Sequence, residues 1–354
     1  MNNEFPIKSR KIDIAVVGCG RISGKHFEAI NTYKDDLNLC AICDNDPKVL
    51  NNINITGARK FLKLDELLSS FPLGLDLVTL CTPSGLHSEQ SILASKYAGV
   101  NVITEKPMAT RWNDGIKMVK EFDNNESKLF VVKQNRNNPP LVLLKKAIDE
   151  NRFRKIYLVQ INVFWTRPQS YYDSAKWRGT WELDGGALMN QASHYIDMLH
   201  YLFGPVQDIS AMTGTLARNI EVEDTGVLNI RWRNGSIGSM AITMLTYPKN
   251  FEGSITVIGE KGTVRLGGVA INKIEEWTFS DEQPYDSEIK NLNYTPTNVY
   301  GNGHIGYYKN VIDVMRGKCE PQTDGREGLK SLEIIIAAYL SARDKKRISL
   351  PLEY

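Results

Sequence analysis

Ile12-Asp13-Ile14-Ala15-Val16-Val17-Gly18-Cys19-Gly20-Arg21-Ile22-Ser23 is the stretch that decides the fold. A β-rich run ends at a glycine turn, and the turn opens a helical stretch from about Ile22 to Tyr33. Gly18 and Gly20 allow the tight turn and let backbone N–H groups approach a pyrophosphate. The helix N-terminus at Arg21 and Ile22 adds its dipole and unsatisfied donors. Ser23, followed by Gly24, stands at the third small position, a slight departure from G-x-G-x-x-G/A. The context is what a dinucleotide fold demands: strand, turn, helix, strand, acid. The acid is Asp44, after a second strand from Leu37 to Cys43. A carboxylate there accepts hydrogen bonds from an adenosine ribose and repels a 2′-phosphate. Asn45, Asp46 and Pro47 supply no arginine, so NAD is expected rather than NADP. The plainer reading of Asp44 is a turn-forming acid before Asn45-Asp46-Pro47.

Outward from this unit the pattern repeats. Asp65 to Ser70 reads as a short helix, Leu75 to Cys81 as a strand, and Ser88 to Ala98 as a helix ended by Gly99. Val100 to Thr104 is a strand, Arg111 to Phe122 a helix, and Lys128 to Lys133 a further strand. Strands alternating with helices imply a parallel sheet with right-handed crossovers. After about Gln134 the grammar changes. Lys155 to Phe164, Ile209 to Ala217, Gly226 to Arg233, Ser236 to Leu245, Gly253 to Ile258 and Gly262 to Leu266 all read as strands. Asn234-Gly235 between two of them is a hairpin signal. The fold class expected is α/β: a Rossmann-type parallel sheet over residues 1–133, then an α+β domain over 134–354 with a mostly antiparallel sheet. Two late helices, His304 to Arg316 and Gly325 to Arg343, either pack on the second sheet or return to the first domain. Asp281 to Asn302, polar and proline-containing, reads as a long loop.

A chain of 354 residues is long enough for two cores. Its 43 basic and 41 acidic residues leave a net charge of +2, which gives no electrostatic case for nucleic acid or an anionic membrane. Met1 to Lys11 lacks the apolar core of a signal peptide, and no run approaches the length of a bilayer span. Five cysteines without an export signal suggest reduced thiols and a cytoplasmic location. Cys40 and Cys43 form a C-x-x-C, but Leu39-Cys40-Ala41-Ile42-Cys43 is more simply a buried strand. Ser23-Gly24-Lys25 resembles the end of a P-loop, yet Cys19 replaces the required glycine and His26 the required Ser or Thr. No zinc-spaced Cys/His cluster is present, and no metal is expected.

Thr82-Pro83, followed by His87, and Glu105-Lys106-Pro107 each come after a strand of the first sheet. In a parallel sheet both segments lie at the carboxyl ends of strands, where ligands bind. Lys106 can hydrogen-bond a substrate hydroxyl or take its proton. The second role needs its pKa lowered from about 10.4 toward neutrality. Gly185-Gly186-Ala187-Leu188-Met189-Asn190-Gln191-Ala192-Ser193-His194 supplies a histidine that needs less tuning to act as a base. On the helix expected through this segment, Asn190, four residues before His194, shares its face and orients a hydroxyl without taking a proton. The plainer readings are a surface lysine and a buried helix histidine. Which of Lys106 and His194 is the base stays open.

Gly18-Cys19-Gly20, Asp44, Thr82-Pro83, Glu105-Lys106-Pro107 and the Asn190…His194 pair together resemble the glucose–fructose oxidoreductase, inositol dehydrogenase and rhizopine-catabolism (Gfo/Idh/MocA) family, over essentially the whole chain. Many relatives have aspartate where this chain has Asn190. The segments Trp165 to Tyr172, Lys176 to Trp181, Gly185 to His194, Thr215 to Thr225 and Thr246 to Asn250 look like one subgroup, the UDP-N-acetylglucosaminuronic acid 3-dehydrogenases. That resemblance implies NAD-dependent oxidation of the sugar C3 hydroxyl to a ketone. An aminotransferase then makes a 3-amino sugar for bacterial surface polysaccharide such as O-antigen. It implies NAD contacts from Gly18, Gly20, Arg21, Ile22, Asp44, Thr82, Pro83, His87, Glu105 and Lys106. It further implies a homo-oligomer, dimer or tetramer, and in some members recycling of retained NADH by 2-oxoglutarate.

The residue chemistry of these segments agrees. Two phosphates and a carboxylate need Arg and Lys forks. Arg136, Arg167, Lys176, Arg178 and Lys249 are candidates, with Trp165, Tyr171, Tyr172 and Tyr247 to shape a sugar or uracil pocket. The bland reading is ordinary charged loop positions. Tyr300-Gly301-Asn302-Gly303-His304 has no assigned role. The rival functions are a dehydrogenase of a free sugar or inositol-type polyol, and a non-catalytic NAD-binding regulator.

Overall fold

The computed structural model describes residues 5–71, 75–97, 100–295 and 303–352, and its backbone clusters into two compact units. One unit contains the described residues up to Lys133 together with His304–Leu332. The other contains those of Gln134–Gly303 and from Glu333 onward. Among the described residues, no helix is long and apolar enough to cross a membrane.

The first unit is the expected parallel α/β sheet. Its elements begin with β1 (Ile12–Val17), α1 (Ser23–Thr32), β2 (Leu37–Cys43), α2 (Pro47–Asn52), β3 (Arg59–Phe61) and α3 (Leu64–Ser69). They continue with β4 (Leu77–Leu80), α4 (His87–Ser95), β5 (Asn101–Thr104), α5 (Trp112–Asn124) and β6 (Leu129–Val131). The order is β3-β2-β1-β4-β5-β6, and every pair is parallel. Strand order reverses between β1 and β4, so the crevice beyond their carboxyl ends is where this topology places a ligand. β4 and β5 are buried along their whole length, as central strands covered on both faces must be. β3 and α2 were not expected. β3 has only three residues, too few for a period to show. The Ser88 to Ala98 helix occupies His87–Ser95, and Ala98 and Gly99 lie outside the described residues.

The second unit begins with α6 (Pro139–Asp149), β7 (Ile156–Phe164), α7 (Gln169–Asp173), a π-helical turn (Ala187–Gln191) and α8 (Ser193–Phe203). Six strands follow: β8 (Val206–Gly214), β9 (Thr225–Trp232), β10 (Ile237–Thr243), β11 (Glu252–Gly259), β12 (Gly262–Gly267) and β13 (Lys273–Phe279). The sheet runs β13-β12-β11-β7-β10-β9-β8-β14, where β14 is Ile348–Ser349. Its pairs are antiparallel except for β7 with β10. β9 shows the governing period of two: Leu228, Ile230 and Trp232 are buried while Val227, Asn229 and Arg231 are exposed. α8 lies on the buried face, where Trp232 donates its indole N–H to the Leu199 carbonyl at 2.9 Å. The other face exposes Leu158, Met212, Val227, Ile237 and Ile258. Asn234-Gly235 does form the β9–β10 turn, with Gly235 at φ +88°.

Two expectations change here. The Asp281 to Asn302 segment is not all loop, because Pro284–Leu292 forms a 3₁₀ helix capped by Gln283 and Asp286; residues 296–302 lie outside the described residues. The helix through Asn190 and His194 is not continuous. Asn190 belongs to the π turn, and α8 starts only at Ser193, so the two side chains do not share a face by simple i,i+4 spacing.

The last two helices are α9 (Gly303–Met315) and α10 (Gly325–Asp344). α9 packs on the first sheet: Tyr307, Tyr308, Val311, Ile312 and Met315 share a core with Ile12, Ile14, Val16 and Ile103. α10 runs through both units, with its residues to Leu332 in the first and from Glu333 in the second. In its first half, Leu332 and Leu329 close on Gly115 of α5, where an added Cβ would stand 2.6 and 3.0 Å away.

Candidate active site

The glycine turn is built for close approach. Gly18 has φ +83°, and a Cβ there would lie 2.7 Å from the Cys81 carbonyl carbon, so both conformation and space require glycine. At Gly20 nothing lies within 4 Å of the Cβ position, leaving the turn open on that side. Ser23, buried at the start of α1, donates its hydroxyl to the Gly20 carbonyl at 2.7 Å and so closes the turn. Asp44 accepts from the Cys19 N–H at 2.7 Å and from the Asp46 N–H at 2.9 Å. Its carboxylate therefore ties the glycine turn to the end of β2. Open loop donors, a helix N-terminus and an acid with no following arginine fit NAD. Arg21 is exposed on this turn and Ile22 half-buried behind it. The C-x-x-C is strand, as expected: burial pushes the thiols of Cys40 and Cys43 up to about 12.

Thr82 and Pro83 follow β4, and Thr82 donates its hydroxyl to Gln90 at 2.6 Å. His87 is buried, with Nδ1 at 2.8 Å from the Pro107 carbonyl and Nε2 at 2.8 Å from that of Thr82. It braces two loops at the strand ends, and burial lowers its pKa. Lys106–Pro107 is cis and Thr82–Pro83 is not. Lys106 is half-buried. Glu105 points inward: Oε1 lies 3.0 Å from His26 Nε2 and 3.5 Å from His304 Nε2, and Oε2 accepts the Lys106 N–H at 3.0 Å. Each of His26, Glu105 and His304 offers an atom within 4.8 Å of the others, a spacing that suits a metal ion. His26 and Glu105 are hydrogen-bonded within it, His26 Nδ1 lying 2.9 Å from Tyr308 Oη and Glu105 Oε2 accepting the Lys106 N–H, whereas among the described residues neither ring nitrogen of His304 has a hydrogen-bond partner.

In the second unit, Gly185 (φ +77°) and Gly186 lead into the π turn, closed by the Ala192 N–H on the Ala187 carbonyl at 2.9 Å. π turns of this kind recur at functional sites. The half-buried Asn190 donates its amide to the Asp184 carboxylate. Asp184 is itself buried and accepts from the Gly179 N–H at 2.7 Å. Donation to Asp184 fixes which end of the Asn190 amide is the acceptor. His194 is buried with Nε2 at 3.0 Å from Gln134 Nε2. Asp184, Gln134 and His26 were not singled out from sequence. The signals available were slight: Asp184 directly precedes Gly185-Gly186, Gln134 directly follows the last strand of the first sheet, and His26 sits one turn into α1.

The substrate candidates divide. Arg136 is committed to Asp197 by two hydrogen bonds of 2.7 and 2.8 Å and lies over the Tyr201 ring. Trp165 is buried and donates its indole N–H to Val269 at 2.9 Å. Arg167, Tyr171 and Arg178 come together: Arg178 donates to the Tyr171 hydroxyl at 2.5 Å, and both guanidinium groups lie over the Tyr171 ring at 5.3 and 4.3 Å. Tyr172 is buried beside them. Lys176 and Lys249 are exposed, and Tyr247 is 94% exposed.

Glu223 also escaped the sequence reading. It is buried against Gly186, accepting from the Leu188 N–H at 2.8 Å and the Tyr339 hydroxyl at 2.9 Å. Burial pushes its carboxyl up to about 7. Between an unfolded value of about 4.3 and that folded value, the native state holds a proton the unfolded chain has shed. Stability therefore falls as pH rises through this window, by on the order of 3 kcal/mol in total. Glu223→Gln, which cannot ionise, is expected to melt higher than the wild type at pH 8 and about equally near pH 4.5. Melting curves that stay parallel across this range would refute the assignment.

Comparison with known proteins completes the description. The model for the NAD-binding Rossmann fold of the GFO/IDH/MocA oxidoreductases matches residues 12–133, and that for the C-terminal alpha/beta domain matches 145–350. The WlbA dehydrogenase of Chromobacterium violaceum, solved in complex with NADH and UDP-GlcNAcA, is 57% identical, with a TM-score of 0.94 and coverage of 100% of both chains. That of Bordetella pertussis, solved with the same two molecules, is 56% identical, with a TM-score of 0.95 over 98% of this chain and 100% of the other. Myo-inositol 2-dehydrogenase of Thermotoga maritima is 24% identical over 343 residues, 95% of this chain and 98% of that protein.

Proposed function

The chain belongs to the GFO/IDH/MocA oxidoreductase family, and from that premise we propose that it oxidises the C3 hydroxyl of UDP-N-acetylglucosaminuronic acid with NAD. The observation that carries this reading is whole-length identity of 56–57% to two dehydrogenases solved with NADH and UDP-GlcNAcA. The site chemistry supports it. NAD, when bound, supplies the hydride acceptor. The glycine turn from Gly18 and the carboxylate of Asp44 would hold it, with Thr82 and Pro83 beside it. Lys106 and His194 act on the C3 hydroxyl: one donates a hydrogen bond to its oxygen and the other takes its proton. Asn190, oriented by Asp184, accepts a hydrogen bond at its carbonyl oxygen. Arg167 and Arg178, with Lys176, meet the phosphates and the carboxylate.

The 3-keto product suits an aminotransferase that makes a 3-amino sugar for surface polysaccharide. The same proposal includes a homo-oligomer packed through the exposed face of the second sheet. A protomer mass by light scattering at working concentration would count against that part. The functional test is mass spectrometry after mixing the protein with NAD and UDP-N-acetylglucosaminuronic acid, with and without 2-oxoglutarate. A product lighter by two hydrogens supports the reading. If it exceeds one equivalent per site only with 2-oxoglutarate, the cofactor is recycled in place. Absence of product under both conditions, while NAD still binds, overturns the reading in favour of a free polyol substrate or a regulator.

A further inference from the structure

His304 is the unexplained member of a buried cluster in the first unit. It is 2% exposed, yet among the described residues neither of its ring nitrogens has a hydrogen-bond partner. An imidazole taken from water in that state is costly, because water would satisfy both nitrogens. Its Nε2 faces the buried Glu105 carboxylate, 3.5 Å from Oε1 and outside hydrogen-bond geometry. The same oxygen lies 3.0 Å from Nε2 of His26, which is fully buried. Two imidazoles thus converge on one carboxylate oxygen, and each of the three residues offers an atom within 4.8 Å of the others. The His26–Glu105 hydrogen bond accounts for two members and gives His304 nothing. A divalent cation gives all three a partner. At bond lengths of about 2.0–2.1 Å, tetrahedral ligand atoms stand about 3.3–3.4 Å apart. The separations of 3.0 and 3.5 Å bracket that spacing.

The groups behind the ligands are those a bound ion needs. His26 Nδ1 lies 2.9 Å from the Tyr308 hydroxyl, which reaches on to Thr79 at 3.3 Å. A hydroxyl accepts as readily as it donates, so Nδ1 can carry the proton and leave the Nε2 lone pair to a cation. Glu105 Oε2 accepts the Lys106 N–H at 3.0 Å, which leaves Oε1 as the ligand atom. Burial lowers the His304 pKa, so the ring is neutral near pH 7 and sheds no proton to bind. Burial works to raise the Glu105 carboxyl, yet the imidazoles beside it hold it well below the usual range, in its ligand form.

We propose that His26, Glu105 and His304 form a binding site for one divalent transition-metal cation of zinc's class, with the fourth position left to water. Two imidazoles and a carboxylate suit zinc better than calcium or magnesium, which take oxygen ligands. The ligands come from α1, the residue after β5, and α9. No local Cys/His spacing announces the site, because its members lie in three segments distant in sequence. With every ligand buried, the part of the cation is structural. It ties the three segments and fixes the carboxylate whose other oxygen holds the Lys106 N–H. The site does not depend on the substrate proposed above.

The test uses the full chain without an affinity tag, produced with added zinc and purified without chelator. Elemental analysis is expected to find one equivalent of zinc per chain. After extraction with a chelator, calorimetric titration with zinc chloride is expected to restore that equivalent. His304→Gln is expected to weaken binding at least ~100-fold, beyond what loss of an outer partner of a ligand costs. X-ray absorption at the zinc edge of the wild type needs no variant to fold, and is expected to show two imidazoles with oxygen in the remaining positions. Wild-type protein that arrives without zinc and takes up none on titration overturns the proposal. So does His304→Gln binding as tightly as the wild type, or an absorption spectrum showing sulfur or fewer than two imidazoles. No measurement involves NAD or the nucleotide sugar, so failure of the site and failure of the substrate assignment are told apart.

Discussion

Lys106→Met is expected to lower kcat at least ~100-fold with little change in KM or melting temperature. Methionine keeps the length and apolar stem of lysine and removes only the charged donor. Lys106 is half-buried at the end of β5, with its backbone fixed by Glu105, so the turn itself has no reason to move. The interaction lost is one made to an oxygen that gains negative charge as the reaction proceeds, which weakens the transition state more than the ground state. The pH profile carries further information. If Lys106 is the donor and His194 the base, the acidic limb of kcat belongs to a histidine and persists in the variant. If Lys106 were the base, that limb would vanish with it. Steady-state kinetics from pH 5 to 10 on both proteins separates the two, and unchanged turnover in the variant removes Lys106 from the chemistry.

The cofactor half of the site was legible because its chemistry is local. Gly18, Gly20 and Asp44 announce themselves through a turn, a helix start and a strand end lying within one βαβ unit, and the structure forms that turn, with Asp44 hydrogen-bonded to it. The candidates of the second unit were legible only as an inventory, without their partners. Arg136 reads as a candidate phosphate ligand, and the Asp197 that pairs with it lies 61 residues on, with nothing local to join them. Trp165 reads as a pocket wall, and Val269, which accepts its N–H, is 104 residues away. The same limit hid the partners of residues that were identified. Glu105 and His194 were named, whereas His26, 79 residues before Glu105, and Gln134, 60 before His194, were not. The π turn was missed for another reason. A pattern of apolar residues from Ala187 to Leu199 fits one helix, and only the wider turn closed by the Ala187 carbonyl displaces Asn190 from the frame of α8. Sequence periodicity assumes a uniform rise per residue, and that assumption fails where a site bends its own backbone.

That bend makes Gly186→Ala the substitution with the largest expected effect on stability. An added Cβ would stand 1.7 Å from Glu223 Oε2, 2.0 Å from Cδ and 2.2 Å from Oε1. A flexible side chain swings away from such a contact when its far end is loose, and Glu223 is not loose. It is buried, and its Oε1 is held by the Leu188 N–H and the Tyr339 hydroxyl. Relief therefore takes either loss of those hydrogen bonds or displacement of the π turn that begins at Ala187. Overpacking costs about 1–3 kcal/mol and breaking hydrogen bonds to a buried carboxyl a similar amount, so a loss of roughly 3–5 kcal/mol is expected. At ~2–4 °C per kcal/mol for a unit of this size, melting falls by on the order of 10 °C. Turnover falls with it, because Asn190 lies on the displaced turn. Glu223→Ala tests the cause. It removes the atoms that the new methyl meets, so Gly186→Ala should cost far less in that background, a coupling of more than about 2 kcal/mol in a double-mutant cycle. Additive effects of the two substitutions would show that the glycine is needed for its backbone alone, and that Glu223 has no part in setting the turn.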